Sequence, residues 1–108
     1  MATIFKLDID SKNVFKRLET TERIDKIISM LGLTLRNLNY KETAKGYHYY
    51  IEVENDLSDM EVCLIQSLMG SDYSRETFNY LRIRQGIKDW NVLFQKKYRN
   101  NKLVSEEK

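Results

Sequence analysis

Apolar and polar residues alternate with a period of two over Phe5-Lys6-Leu7-Asp8-Ile9-Asp10. A strand over residues 3 to 10 then turns Phe5, Leu7 and Ile9 to the core and Lys6, Asp8 and Asp10 to the opposite face. The period changes after Asp10: Val14, Leu18, Ile24, Ile27, Ile28 and Leu31 recur at near-helical spacing, with Ser11 or Asn13 to cap the helix and Gly32 to stop it. The β-branched pair Thr20-Thr21 is a point at which this helix could divide in two. Strand formers return from Leu33 to Tyr40 and from Tyr47 to Glu54, and the polar link between them, ending in Lys45-Gly46, suits a hairpin. In the second of these strands Tyr47, Tyr49, Ile51 and Val53 are assigned to the core, and His48, Tyr50, Glu52 and Glu54 to the outer face. Ser58-Asp59-Met60-Glu61 reads as a capping box opening a helix whose buried stripe is Val62, Ile65, Leu68 and Met69, closed by Gly70. Ser74 is the expected cap of a further helix containing Phe78, Leu81 and Arg82, which Gly86 closes. A last strand runs from Asn91 to Tyr98 with Val92 and Phe94 on one face.

The element order defines an α+β fold of ferredoxin-like type, β-α-β-β-α-(α)-β, with a four-stranded antiparallel sheet and helices on one face. A single domain spans residues 1–98, and residues 99–108 form a polar C-terminal tail. In this topology the first and third strands are adjacent and antiparallel. Asp8, Asp10, His48 and Tyr50 are therefore expected on the exposed sheet face, at one end.

A chain of 108 residues is the size of one ordinary domain. Lys and Arg number 18 against 16 Asp and Glu, a net charge of +2, so any polyanion-binding surface has to come from local clustering. The single cysteine, Cys63, excludes an internal disulfide and a cysteine-rich zinc site. It lies in an apolar helical pattern and reads as a core residue of a protein kept in a reducing interior. No apolar run is long enough to span a bilayer, and no basic stretch precedes an apolar one at the N-terminus. A cytoplasmic protein without a membrane partner is expected.

Paired aspartates near a histidine suit a hard divalent ion, Mg or Mn, with Asp8 and Asp10 as ligands. Structural readings of the same residues stand beside this one: Asp10 as a helix cap, Asp8 paired with Lys6, and His48 bonded to a tyrosine. The second half of the chain is rich in basic residues, among them Arg75, Arg82, Arg84 and Lys88, while Lys45, Lys6, Arg36 and Lys41 fringe the sheet. Tyr50 and His48 are placed to stack on bases, which favours single-stranded nucleic acid as the partner. An ordinary solvated helix face accounts for the basic residues equally well.

The segments Phe5-Lys6-Leu7-Asp8-Ile9-Asp10 and Ala44-Lys45-Gly46-Tyr47-His48 resemble the first two motifs of the archaeo-eukaryotic primase and primase-polymerase superfamily. Tyr80-Leu81-Arg82-Ile83-Arg84-Gln85-Gly86 is similar to the arginine-containing segment that follows that family's last acidic motif. The resemblance implies a palm of RNA-recognition-motif topology, with Asp8 and Asp10 as metal ligands and His48 near the nucleotide phosphates. Ala44 stands where the family has a small hydroxyl residue, and Asn79 stands at the most plausible place for a third acidic ligand. The expectation is a catalytically reduced, nucleic-acid-binding relative of viral or plasmid replication type, in the host cytoplasm if viral. The alternatives are an active metal-dependent nucleotidyltransferase, and a homodimeric interaction subunit using Tyr40, Tyr47, Tyr49, Trp90 and Phe94. A rolling-circle initiator attacking through Tyr73 or Tyr80 is disfavoured, because a second histidine is missing.

Overall fold

Phe5, Leu7 and Ile9 of β1 (Thr3–Ile9) are buried, as are Tyr47, Tyr49, Ile51 and Val53 of β3 (Tyr47–Val53), so alternation assigns the inner sheet face correctly. The computed structural model describes residues 2–91, together with the backbone of 96–99 and 102–106. Between the two buried strands come α1 (Val14–Met30) and β2 (Leu35–Glu42); α2 (Asp59–Leu68) and α3 (Tyr73–Arg84) follow β3. The main sheet has three antiparallel strands in the order β1-β3-β2. Ile24 and Ile28 of α1 and Val62, Ile65 and Met69 from the α2 region close over its inner face, with Trp90 completing the core. This is a small α+β fold with a three-stranded sheet and three helices.

Several local signals act as expected. Asn13 caps α1, accepting from Phe15 N at 2.8 Å. Ser58 and Glu61 form the reciprocal capping box at α2. The division of α1 at Thr20-Thr21 does not occur. Thr20 Oγ1 donates to Lys16 O at 2.8 Å and Thr21 Oγ1 to Arg17 O at 3.0 Å, so both hydroxyls are satisfied within the helix instead of competing with it.

The second half departs from expectation. The cap of α3 is Asp72, which accepts from Arg75 N at 3.0 Å, and not Ser74. α3 is also rotated relative to its apolar pattern: Phe78 is 58% exposed and Leu81 lies outside, while Arg75, Glu76 and Asn79 are buried. Leu68, placed in the α2 stripe, is exposed as well. The reason lies on the free edge of β1. There Lys6 N donates to Gln66 Oε1 at 2.8 Å, Asp8 N to Ser71 Oγ at 3.1 Å, and Arg75 Nη1 to Lys6 O at 2.9 Å. Asp72 N donates to Asp8 O at 2.8 Å. Backbone groups on a strand edge must be paired when buried, and here polar side chains from α2, α3 and their connection pair them.

The expected fourth strand is not confirmed: among the described residues the main sheet has three strands. The outward carbonyls of Ile4, Lys6 and Asp8 accept from Asn91, Arg75 and Asp72 N, and the N–H groups of Lys6 and Asp8 donate to Gln66 and Ser71. Of the last expected strand, Val92 and Phe94 lie outside the described residues. Residues 96–99 form β4 (Lys96–Arg99), which pairs with β5 (Lys102–Glu106) in a separate two-stranded sheet. Backbone pairing thus reaches into the segment expected as a polar tail.

Glu76 is the centre of the polar cluster. Its carboxylate accepts from Gln66 Nε2 at 2.8 Å, Ser71 Oγ at 2.8 Å and Asn79 Nδ2 at 3.1 Å, and it is ion-paired with Arg75. Removing one member of a buried pair strands the other charge, so Glu76→Ala is expected to lower the unfolding free energy by about 3–5 kcal/mol, measured by urea denaturation. Gly46 is fixed by a different constraint. A Cβ there would stand 1.8 Å from Ile9 O and 2.8 Å from Ser11 N, both backbone atoms that cannot swing away. Gly46→Ala is expected to cost at least about 1–3 kcal/mol in the same assay.

Candidate nucleic-acid interface

The register places the outward side chains of the sheet in rows. Asp8, His48 and Lys41 form one; Lys6, Tyr50 and Asn39 the next; Ile4, Glu52 and Asn37 the last. Each row exists because β3 is antiparallel to both neighbours, so residues far apart in sequence stand opposite one another. Tyr50 is at the middle of this face. Hollows of about 180 Å³, lined by Ile4, Lys6, Asn37, Asn39 and Glu52, and about 380 Å³, lined by Asn39, Tyr40 and Lys41, adjoin it. The Lys41 ammonium lies 5.7 Å from the centre of the Tyr50 ring, within cation–π range.

Asp8 and His48 meet across β1 and β3, with His48 Nε2 3.6 Å from Asp8 Oδ1. That is an ion-pair distance, longer than a hydrogen bond. His48 is not on an exposed surface as expected: it is 2% exposed, a central-strand residue flanked by Asp8 on one side and Lys41 on the other. Asp10 does not join them in the sheet. The paired register ends at Ile9 and Tyr47, and Asp10 is exposed beyond it. Among the described residues no three His, Cys, Asp or Glu side chains converge in a way that could hold a metal ion.

The expected basic residues separate. Lys45 is exposed in the turn between β2 and β3. Arg84 and Lys88 are exposed on α3 and the turn after it, and Arg82 is half-buried, donating to Asn79 Oδ1 at 3.2 Å. Arg75 does not face solvent at all. It is buried against Glu76, Lys6 O and Asn91 Oδ1, and burial pulls its pKa below the ordinary guanidinium range. Its part is to hold α3 on β1, not to contact phosphate. Asn37 and Asn39 were not picked out from the sequence. Their alternation with Leu38 and Tyr40 was the available signal, but only the strand register shows that they flank Tyr50.

Comparison with protein-family models, with curated proteins and with solved structures gave no match. No helix among the described residues is long and apolar enough to cross a membrane.

Cys63 lies beneath a groove between α2 and α3, its thiol donating to Glu76 O at 3.4 Å. Burial, reinforced by the Glu76 carboxylate, pushes its pKa up to about 11. The folded state therefore holds this proton more tightly than the unfolded chain. The resulting term is neutral below about pH 8.5 and destabilises the fold as pH rises from there toward the native value. At pH 7.5 alkylation of Cys63 by iodoacetamide is expected to be more than about a hundredfold slower in the native protein than in urea, read by mass spectrometry.

Proposed function

We propose that the protein binds single-stranded nucleic acid through the outer sheet face centred on Tyr50, as a binding module without turnover. The observation that carries this reading is the position of Tyr50, an aromatic ring on the central strand with Lys6 and Asn39 beside it in the row, Lys41 against the ring, and hollows adjoining it. A base can stack on such a ring whatever its identity, and flanking ammonium groups neutralise the phosphates on either side. Asn37 and Asn39 supply both donors and acceptors for base edges.

Asp8 is the feature that would repel a polyanion, and its closeness to His48 supports the reading. His48 Nε2 lies 3.6 Å from that carboxylate, and Lys41, the next residue of the row, brings a positive charge to the same line of the sheet. The order β1-β3-β2 is compatible with three of the four strands of a ferredoxin-like sheet, a topology that commonly presents its open face to single strands. The same face is the one that carries the primase-like Asp8 and His48. A reduced palm that retains strand binding is the form of that resemblance proposed here, and the exposed position of Asp10 supports binding over metal-dependent transfer.

Fluorescence anisotropy with a labelled oligonucleotide tests the reading. Salt-sensitive binding is expected, with Tyr50→Ala weakening it by about tenfold or more, equivalent to the loss of one stacking contact. Lys6→Ala and Lys41→Ala are each expected to reduce the slope of log affinity against log salt by about 0.7. Absence of binding at low salt, or unchanged affinity in Tyr50→Ala, would overturn it. A manganese-dependent gain in affinity that Asp8→Ala abolishes would instead favour the metal-dependent enzyme.

A further inference from the structure

The two edges of the main sheet differ among the described residues. β1 is covered by side chains from α2 and α3, whereas β2 has β3 as its only strand neighbour in that sheet and is exposed at every residue except Leu38. The direction of its backbone groups follows from the hairpin. Thr43 N donates to Gly46 O at 2.8 Å, so Thr43 and Gly46 are a hydrogen-bonded pair. In an antiparallel ladder such pairs alternate, which makes Lys41 with His48, Asn39 with Tyr50 and Asn37 with Glu52 the bonded pairs. The N–H and C=O groups of Leu38, Tyr40 and Glu42 are therefore directed to the outer side of β2.

We infer that β2 pairs with β2 of a second copy of this chain, antiparallel about a two-fold axis at Asn39, and doubles the three-stranded sheet. The strand is complementary to itself in that register. Leu38 faces the second copy's Tyr40, Asn37 faces its Lys41, and Asn39 faces its Asn39. Arg36, the residue in the bulge at one end, comes beside the second copy's Glu42 at the other, so opposite charges stand at both ends of the ladder. Parity agrees as well, because the outward-directed backbones of Leu38 and Tyr40 come opposite each other as bonded pairs. The bulge between Leu35 and Asn37 bends the strand and ends the paired stretch there.

The helix layer adds apolar surface on the same side. Arg17 of α1 lies 5.1 Å over the Tyr40 ring, whereas Arg23, on the far flank, donates to Leu68 O at the end of α2. Val14 and Leu18 follow the Arg17 flank at helical spacing, toward β2, and each is 48% exposed. With Tyr40 and Leu35 they make a partly exposed apolar margin along this edge, which a two-fold partner would cover. Glu42 already lies 3.1 Å from Lys12, and a second cation from the partner extends that pair into a network across the axis. The inference does not rest on the nucleic-acid reading, although a dimer would place one Tyr50 face beside another.

Light scattering after size exclusion is expected to give twice the chain mass for the whole protein. Arg36→Glu and Glu42→Arg, each alone, set like charges opposite one another and are expected to weaken the dimer by about tenfold or more. Mixing the two variants restores pairing as a heterodimer, because each mismatch is then complemented. Asn39→Cys is expected to cross-link two copies under mild oxidation, since residues opposite one another in a non-bonded pair have Cα atoms about 4.5 Å apart. Asn37→Cys stays uncross-linked, its symmetry mate lying roughly 13 Å along the strand. Circular dichroism confirms that each variant is folded. A concentration-independent monomer mass overturns the inference, as does a dimer indifferent to both charge reversals or a failure of Asn39→Cys to cross-link.

Discussion

The Glu76 carboxylate is the point on which the placement of the second half of this protein depends. A buried carboxylate is tolerated only where its charge is paired and its oxygens accept hydrogen bonds, and Gln66, Ser71, Arg75 and Asn79 together meet that requirement. Three of those residues also face the edge of β1. Gln66 accepts from Lys6 N, Ser71 from Asp8 N, and Arg75 donates to Lys6 O. One cluster therefore satisfies a buried charge, terminates a sheet edge and fixes how α3 sits on the molecule. Apolar packing alone would have turned Phe78 and Leu81 inward; the polar requirement of the strand edge outweighs it, and those side chains are left outside.

Terminating one edge has consequences for the others. With β1 closed by side chains, β2 is the other edge of the main sheet, with β3 as its one strand neighbour among the described residues. The Gly46 contact sets the relation between β1 and β3 at the end of the sheet where Asp8 and His48 stand, because the chain after Ile9 passes directly over the glycine backbone. A turn glycine in the sequence is thus a spacing element for the candidate site. On the inner face the Tyr49 hydroxyl, donating to Arg17 O at 3.1 Å, is held in a setting that raises its pKa through burial, and it ties the sheet to α1. That contact belongs to the core and keeps the tyrosines of β3 in distinct roles, with Tyr49 inward and Tyr50 outward.

The first half of the fold was legible because its signals are local. Period-two alternation in Phe5-Lys6-Leu7-Asp8-Ile9 and in Tyr47 to Val53 selects the core face without reference to the rest of the chain, and Asn13 and Ser58 act as caps through residues two or three positions away. Topology led to the expectation of Asp8, Asp10, His48 and Tyr50 at one end of the sheet, and of these Asp8 stands opposite His48. The histidine's burial was not legible, since exposure depends on everything around a position and not on its strand parity. Asp10 was assigned to the face by extending the strand one residue too far, beyond the point where Tyr47 ends the ladder.

What the sequence by itself determined is an α+β chain whose β1, β2 and β3 form an antiparallel sheet under helices, with Lys6, Asp8, His48 and Tyr50 turned to one side of it. Local periodicity and capping suffice for that, because each is decided by neighbours a few residues away. Tertiary structure alone decided that Arg75 is a buried clamp and not a surface cation, that α3 presents its polar side inward, and that side chains hold the β1 edge at Ile4, Lys6 and Asp8. Those outcomes turn on where a strand's unpaired backbone groups find partners. Gln66, Arg75 and Asn91 reach β1 from tens of residues away, a distance over which no sequence period carries information.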